Sequence, residues 1–313
     1  MIKLISICLS LFFLLFACNG NKKENENKES EQKKEKIESK KKNAGNKKYA
    51  LSKYFTPVLN TRYFSSVYGG KDGKTLKKSN NGLIKELEYV AYPGTVFEIL
   101  EEYKNNDHSI YKVYTDEYDI AELNISLYID SRFTEVTSEL PPKRTIKLPD
   151  KREIYKYLDR SVGSLYVWGA NNLDGVKEMF DFYPVAGSIS NKELKEWGLK
   201  GMDCSGLIYE ATNGYTARNT HQLVYSGEGV EIAGLSNKEI AKTLKPLDII
   251  VWKGHVILVY DETTTIQSSF KAGCVIKKPL LSVLEEISKK RTPKNKWERD
   301  GNFFVVRRWF KEG

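Results

Sequence analysis

Histidine is scarce in this 313-residue chain, which holds three: His108, His221 and His255. None stands beside a cysteine at zinc-site spacing, so no metal is implied, and no motif calls for an organic cofactor. Cysteine is nearly as rare. Of four, Cys8 lies in an N-terminal apolar run and Cys18 closes it, leaving Cys204 and Cys274 for the folded part. A disulfide framework is thereby excluded; both thiols are expected free, with Cys274 a buried core residue after a strand. Strong charge is missing as well once it is located. The chain carries +9, but residues 19–48 hold eleven Lys against six Glu and Lys3 adds one more, so residues 49–313 retain only +3. That balance gives no reason to expect a nucleic-acid partner. Internal repeats are absent.

What is present begins with a targeting segment over residues 1–17. Lys3 precedes an apolar stretch from Leu4 to Phe16, interrupted only by Ser6 and Ser10, a length that suits a signal peptide and is short for a membrane span. Leu15-Phe16-Ala17-Cys18 resembles a bacterial lipobox, although Phe16 stands where a small residue is usual. The resemblance implies lipidation at Cys18 and an exported, membrane-anchored lipoprotein facing the periplasm or cell wall. The alternative is ordinary signal cleavage that leaves Cys18 a free thiol. Residues 18–48 follow as a Lys/Glu/Asn tether with Ile37 and Ala44 as its aliphatic side chains, too little apolar surface to offset the entropy of ordering.

The remaining 265 residues suit two domains, with Pro141-Pro142 and Pro149-Asp150 marking a boundary near 149. In 49–149, runs such as Glu88–Tyr92, Val96–Leu100, Ile110–Tyr114 and Leu127–Asp130 alternate with turn residues at Pro93-Gly94 and Asn105-Asn106-Asp107. They predict antiparallel strands in a small all-β barrel that resembles bacterial SH3-like domains. In 150–313, Ile154, Tyr157, Leu158, Val162 and Leu165 recur at helical spacing, and a second helix is expected to start at Cys204 with Leu207, Ile208 and Ala211 on its buried face. Strands are expected at 247–252, 255–260, 265–269 and 303–309. Helices before antiparallel strands give an α+β fold, the order of papain-like peptidases.

Cys204 at a helix start and His255 on an apolar strand form the pattern of a cysteine nucleophile and its base. The free N–H groups of the helix end favour thiolate, and one of them can face an oxyanion. His221 and His108 are the other candidate bases, the second in a turn of the other domain. Whether a residue such as Gln267, twelve residues beyond His255, can reach the imidazole is a question of strand register. If Val259 pairs with Thr263 around a three-residue turn, Gln267 falls opposite His255; a four-residue turn would pair it with Leu258 and point it away. The first register is expected.

Taken together, these motifs closely resemble the NlpC-type family of cell-wall cysteine peptidases. Tyr166-Val167-Trp168-Gly169, Asp203-Cys204-Ser205-Gly206-Leu207, Arg218-Asn219-Thr220-His221-Gln222, Lys245-Pro246-Leu247-Asp248 and His255-Val256-Ile257 occur in the family's order over most of residues 155–269. The resemblance implies a catalytic Cys204, His255 and Gln267, and a peptide subsite lined by Tyr166, Asp203, Ser205 and Arg218. Chemically, Asp203 suits a peptide amine and Arg218 a carboxylate. Their alternative roles are a helix N-cap for Asp203, a core aromatic for Tyr166 and a solvated Arg218. Two departures stand out. Residues 170–201 are longer than the family's usual connection, enough to roof the cleft or narrow the substrate range, and Ala170 and Leu247 replace glycines.

The expectation is thus a monomeric peptidoglycan stem-peptide endopeptidase, cutting γ-D-glutamyl to diamino-acid bonds without a cofactor. Two other readings remain open: a catalytically inactive wall-binding lipoprotein, and an amidase or acyltransferase on the same scaffold.

Overall fold

The computed structural model describes residues 47–311. The signal segment, Cys18 and nearly all of the tether lie outside the described residues.

Seven strands follow from the alternating runs of the first region: β1 (Lys48–Ser52), β2 (Thr56–Leu59), β3 (Leu87–Ala91), β4 (Val96–Asn105), β5 (His108–Tyr114), β6 (Leu127–Asp130) and β7 (Thr134–Thr137). They pair antiparallel in the order β3-β2-β6-β5-β4-β1-β7. Asn106 turns the β4–β5 hairpin with φ of +50°, a left-handed conformation that asparagine tolerates better than most residues.

The second region opens with α1 (Lys151–Ser161), capped by Asp150, whose carboxylate accepts from the Glu153 N–H at 2.8 Å. Ile154 and Leu158 are buried, as their spacing predicts. Val162, expected on the same face, follows the end of the helix and is 46% exposed, and Leu165 bridges to Cys274 in extended backbone. Next come α2 (Cys204–Ala211), α3 (Asn237–Thr243), β8 (Ile249–Trp252), β9 (His255–Val259), β10 (Thr264–Ser269), β11 (Cys274–Pro279), α4 (Leu280–Ser288) and β12 (Phe303–Arg308). The sheet runs β12-β8-β9-β10-β11, with the short strand Glu228–Gly229 beside β12. Helices against an antiparallel sheet make this part α+β. Val256, Leu258 and Ile266 face α2, while Ile257 and Val259 on the alternate face meet Leu280, Val283 and Leu284 of α4. The strand β11 and helix α4 were not anticipated. Cys274 begins β11 and is partly exposed, not a core residue after a strand, and both described cysteines are free.

The prolines near 149 separate the two sheets but not their cores. Val167, Ala170, Val176, Met179, Tyr183, Trp197 and Leu199 share one apolar cluster with Leu59, Phe64, Tyr68, Leu87 and Phe133 of the first region. Tyr183 stacks on Phe64 at 6.0 Å, and Trp197 meets Tyr68 edge-on at 6.2 Å. The long connection 170–201 therefore packs into the first region's core, and it does not roof the cleft described below. Gly169 fixes this junction: with φ of +72° it brings its Cα so near β3 that an added Cβ would lie 2.3 Å from the Leu87 carbonyl oxygen.

Candidate active site

Cys204 is the first residue of α2, and its helix is apolar on nearly every side because it runs through the core. Asp203 is the N-cap: its Oδ1 accepts from the Gly206 N–H at 2.7 Å. Gly206 is needed there for space, since a Cβ would sit 2.2 Å from the Ala170 carbonyl oxygen.

The same carboxylate anchors a buried network. Arg218 donates through Nη1 to Asp203 Oδ1 (3.1 Å) and Ser205 Oγ (2.9 Å), and through Nη2 to Asp203 Oδ2 (3.0 Å) and the Ala170 carbonyl (3.2 Å). Its Nε donates to Asn171 Oδ1 at 3.0 Å. All five guanidinium protons thus have acceptors. Ser205 Oγ donates to Asp203 Oδ1 (3.1 Å), and the Gly169 N–H donates to Oδ2 (3.0 Å). Burial opposes the Arg218 charge, but Asp203 outweighs it and holds the guanidinium above its ordinary pKa. Three of the four residues expected to hold substrate therefore hold one another. Asp203 takes its alternative role as a cap. Arg218 is neither solvated nor free for a carboxylate, because it is 2% exposed and saturated. Asn171 carries the network onward, accepting from the Val90 N–H (3.0 Å) and donating to the Val90 carbonyl (2.9 Å) as an adjoining strand would.

The second half of the site lies on β9 and β10. His255 Nε2 donates to Gln267 Oε1 at 2.7 Å, a direction set by the amide oxygen, which only accepts; the neutral imidazole then leaves Nδ1 as its lone-pair nitrogen. The register differs from the expected one. Leu258 pairs with Ile266 and Val259 with Thr265, and Tyr260 still donates to the Thr264 carbonyl, so the turn is Asp261–Thr263. The observed pairs are shifted by two residues from the expected ones and end at Leu258–Ile266, before Gln267 and His255, whose side chains meet beyond them. A two-residue shift preserves the face, so the contact survives. Trp252 lies 5.3 Å from the imidazole, and Arg291 caps the indole at 4.7 Å.

The Val256 N–H, in the peptide unit that follows His255, lies near enough to Cys204 to favour its ionised form. Burial nonetheless pushes the Cys204 thiol up to about 12, Asp203 adds to the rise, and the Val256 and Ser205 N–H groups and Arg218 only partly oppose it. Burial also lowers His255, against smaller upward contributions from Gln267 and Asp203. Burial thus favours the neutral thiol and the neutral imidazole. Desolvation here opposes the thiolate expected at a helix N-terminus.

A cleft of about 160 Å³ opens over Cys204. Tyr166 lines it, in edge contact with the half-exposed Phe270 at 5.6 Å. Trp168 stands beside it with the Lys85 ammonium 3.1 Å above its ring. Glu88, Tyr118 and Leu123 come from the first region, and Asn219, Thr220, His221 and Gly254 complete the wall. Glu88 accepts from Asn60 Nδ2 (2.7 Å) and Tyr118 Oη (2.8 Å). The segment carrying Tyr118 and Leu123 is tied to the opposite wall: Glu122 pairs with Lys253 at 2.7 Å, and Asn219 Nδ2 donates to the Asp119 carbonyl at 3.3 Å. None of these wall residues from the first region was anticipated, since they lie in ordinary strand and loop sequence some hundred residues upstream. His221, set aside as a base, was the one wall histidine visible in a motif. His108 lies on β5, its imidazole between Asp107 and Asn105. Among the described residues, no group of three or more His, Cys, Asp or Glu could hold a metal ion.

No protein-family model matches the chain, and no curated protein matches it. Solved structures similar to it include an NlpC/P60 family protein from Bacillus cereus, at 15% identity and a TM-score of 0.33 over 84% of this chain. The alignment spans 64% of that protein, less than two thirds of its length. Others are the peptidoglycan hydrolase RipB from Mycobacterium tuberculosis (20% identity, TM-score 0.30, 51% of this chain and 67% of that one) and NlpC1 from Trichomonas vaginalis (13%, 0.35, 85% and 94%). Several of these neighbours are NlpC/P60 proteins, the family that the motifs resemble. Likeness at these scores carries no weight for chemistry, which rests on the site itself.

Proposed function

We propose that this chain is a cysteine hydrolase of peptidoglycan stem peptides. The single observation that carries the reading is the hydrogen bond from His255 to Gln267, in a fold that also sets Cys204 at the start of a helix beside a cleft. In the proposed reaction, Cys204 Sγ attacks the scissile carbonyl as its proton passes to His255 Nδ1. The carbonyl π pair becomes an oxyanion, faced by N–H groups at the start of α2. When the tetrahedral species collapses, the C–N bond breaks, His255 returns the proton to the leaving amine and a thioester remains. His255 then takes a proton from water, and the hydroxide oxygen displaces the thiolate, which is reprotonated. Since burial favours the neutral form of both groups, proton transfer accompanies attack. Gln267 keeps Nδ1 as the accepting nitrogen throughout.

Substrate class follows from the motif resemblance. The bond is proposed to be γ-D-glutamyl to diamino acid. Tyr166 and Trp168 offer flat apolar surfaces to the peptide, and Glu88, whose hydrogen-bond partners are neutral donors and which lies near the Lys85 ammonium, is the cleft carboxylate suited to a peptide amine. Lipidation at Cys18, a tether to residue 48, an SH3-like docking role for 49–149 and a monomeric enzyme complete the proposal. Incubation of the full chain and its Cys204→Ala variant with defined muropeptides, with products read by mass, tests it. Release of a dipeptide fragment by wild type alone is expected. Release of an amine from an amide side chain, or transfer to an added amine, would instead favour the amidase or acyltransferase reading. Wall binding without any cleavage would favour an inactive docking protein.

A further inference from the structure

The stack beside His255 carries a positive charge with no opposite charge near it. Trp252 stands directly across from His255 in the β8–β9 ladder, and its ring lies 5.3 Å from the imidazole. The Arg291 guanidinium is 4.7 Å from the same indole, so it lies within about 10 Å of the imidazole. Its backbone is fixed on both sides. The Arg291 N–H donates to the Ile287 carbonyl of α4 at 2.9 Å, and the Thr292 N–H donates to the Asn302 carbonyl at 2.8 Å. One side-chain donation is made, from Nη1 to the Phe303 carbonyl at a long 3.5 Å, which leaves the other guanidinium protons without an acceptor among the described residues. No carboxylate among them pairs with Arg291, and burial lowers its pKa with no acid to oppose the shift. Lys85, which also stacks on a tryptophan, differs in having Glu88 and Asp203 nearby. Arg291 is partly exposed, so a ligand is not shut out from it.

We propose that Arg291 binds the α-carboxylate of the residue released on cleavage, so that the enzyme prefers scissile bonds whose leaving residue ends its peptide. The assignment rests on the cysteine-hydrolase reading above. In that reading His255 returns its proton to the leaving amine, which places the leaving residue beside the imidazole. Trp252 adjoins the imidazole and Arg291 adjoins Trp252. The reach fits as well. A hydrogen-bonded amine stands about 3 Å from the imidazole nitrogen, and its α-carboxylate carbon is two bonds further, about 2.5 Å away. A carboxylate paired with both arms of a guanidinium sits about 4 Å from the guanidinium carbon. End to end these lengths match the stack. The planar fork of arginine suits a carboxylate, whereas a leaving residue that continues as an amide offers a neutral carbonyl and leaves the charge unpaired. Selection then occurs at the leaving end of the substrate, apart from the amine contact proposed at Glu88. Guanidinium and carboxylate are both ionised from about pH 5 to 9, so this preference is flat with pH, unlike one set by a histidine.

The test uses the full chain carrying Cys204→Ala and two probes: a γ-D-glutamyl-diamino acid peptide ending in a free α-carboxylate, and the same peptide as its α-carboxamide. Affinity is read by calorimetry. The free acid should bind about tenfold more tightly than the carboxamide, equally at about pH 6 and about pH 8.5. The preference should shrink in about 0.5 M salt. Adding Arg291→Met should bring the free acid down to the affinity of the carboxamide. Arg291→Lys, which keeps the charge without the fork, should retain a preference of about two- to threefold. Equal binding of the two peptides before Arg291 is touched would overturn the assignment. So would a preference that survives Arg291→Met, one that appears only at low pH, or no binding of either peptide. Turnover separates this assignment from the reading beneath it. Peptides bound with the preference but never cut by wild type overturn the hydrolase reading and leave Arg291 a carboxylate site. Cleavage with equal kcat/KM for both peptides keeps the hydrolase and removes the role of Arg291.

Discussion

The two polar assemblies around Cys204 are built on opposite plans. Asp203, Ser205 and Arg218 form a closed set in which every guanidinium proton has an acceptor and each carboxylate oxygen has at least two donors. His255 keeps one side-chain bond, to Gln267, and the Cys204 thiol is buried at the start of α2. Buried charge is tolerated where it is saturated, and such a set rigidifies what it touches. Reactivity needs the contrary condition, lone pairs with no fixed partner. One assembly thus holds the start of α2 in place so that the other can remain unfinished.

The widest separation between the two should come from Cys204→Ala. Turnover of muropeptide should fall by at least about 10⁴-fold while the melting temperature stays nearly unchanged, measured by product mass and calorimetry. An active alanine variant would refute the nucleophile. Arg218→Met should do the reverse, damaging the frame first. It leaves the Asp203 charge buried and unpaired, a loss of about 3–5 kcal/mol in denaturant unfolding. Asp203→Asn in the same chain should recover part of that loss, and strict additivity of the two would break the comparison. Gln267→Ala is expected to slow kcat by about 10–100-fold at unchanged stability, through loss of the tautomer rather than of packing. The smallest effect concerns pH. His255 must be neutral to accept a proton and its pKa lies below the ordinary 6.5, so kcat/KM should hold through pH 6.5 and fall only as pH drops through that lowered value. Since the thiol is raised to about 12, alkylation of Cys204 by iodoacetamide should still climb above about pH 9. A plateau reached near neutrality would show a preformed thiolate–imidazolium pair, and the two assemblies would then both be charged.

Much of this was legible in the sequence, though unevenly. The helix at Cys204 and the strands at His255, Gln267 and Phe303 follow from apolar spacing and stand within a residue or two of their expected limits. Even the mistaken register gave the right face, because a strand's side chains repeat every two residues. Residue type does not reveal whether Asp203, Ser205 and Arg218 face a ligand or each other, since the same donors and acceptors serve both. Nor could the packing of 170–201 be read, because Trp197 and Tyr183 have no periodic pattern that names their partner. Leu247 shows the remaining gap. It stands where the family has glycine, and its φ of +71° is the left-handed conformation that glycine favours. Full burial of the leucine side chain offsets the strain of that conformation.

The contact of Gly169 with the Leu87 carbonyl also bears on how such a protein can change over evolutionary time. A join with no room for one methyl group, reinforced by Asn171 clasping Val90, behaves as a keyed fitting. The outer surface of the first sheet is free to drift, acquire new loops or lose old ones. Strand β3 is not, because its backbone is the template against which the neighbouring half is cast. Recombination that exchanged the first region for another would have to bring a strand with the same spacing, or the wall beside Cys204 would be lost with it.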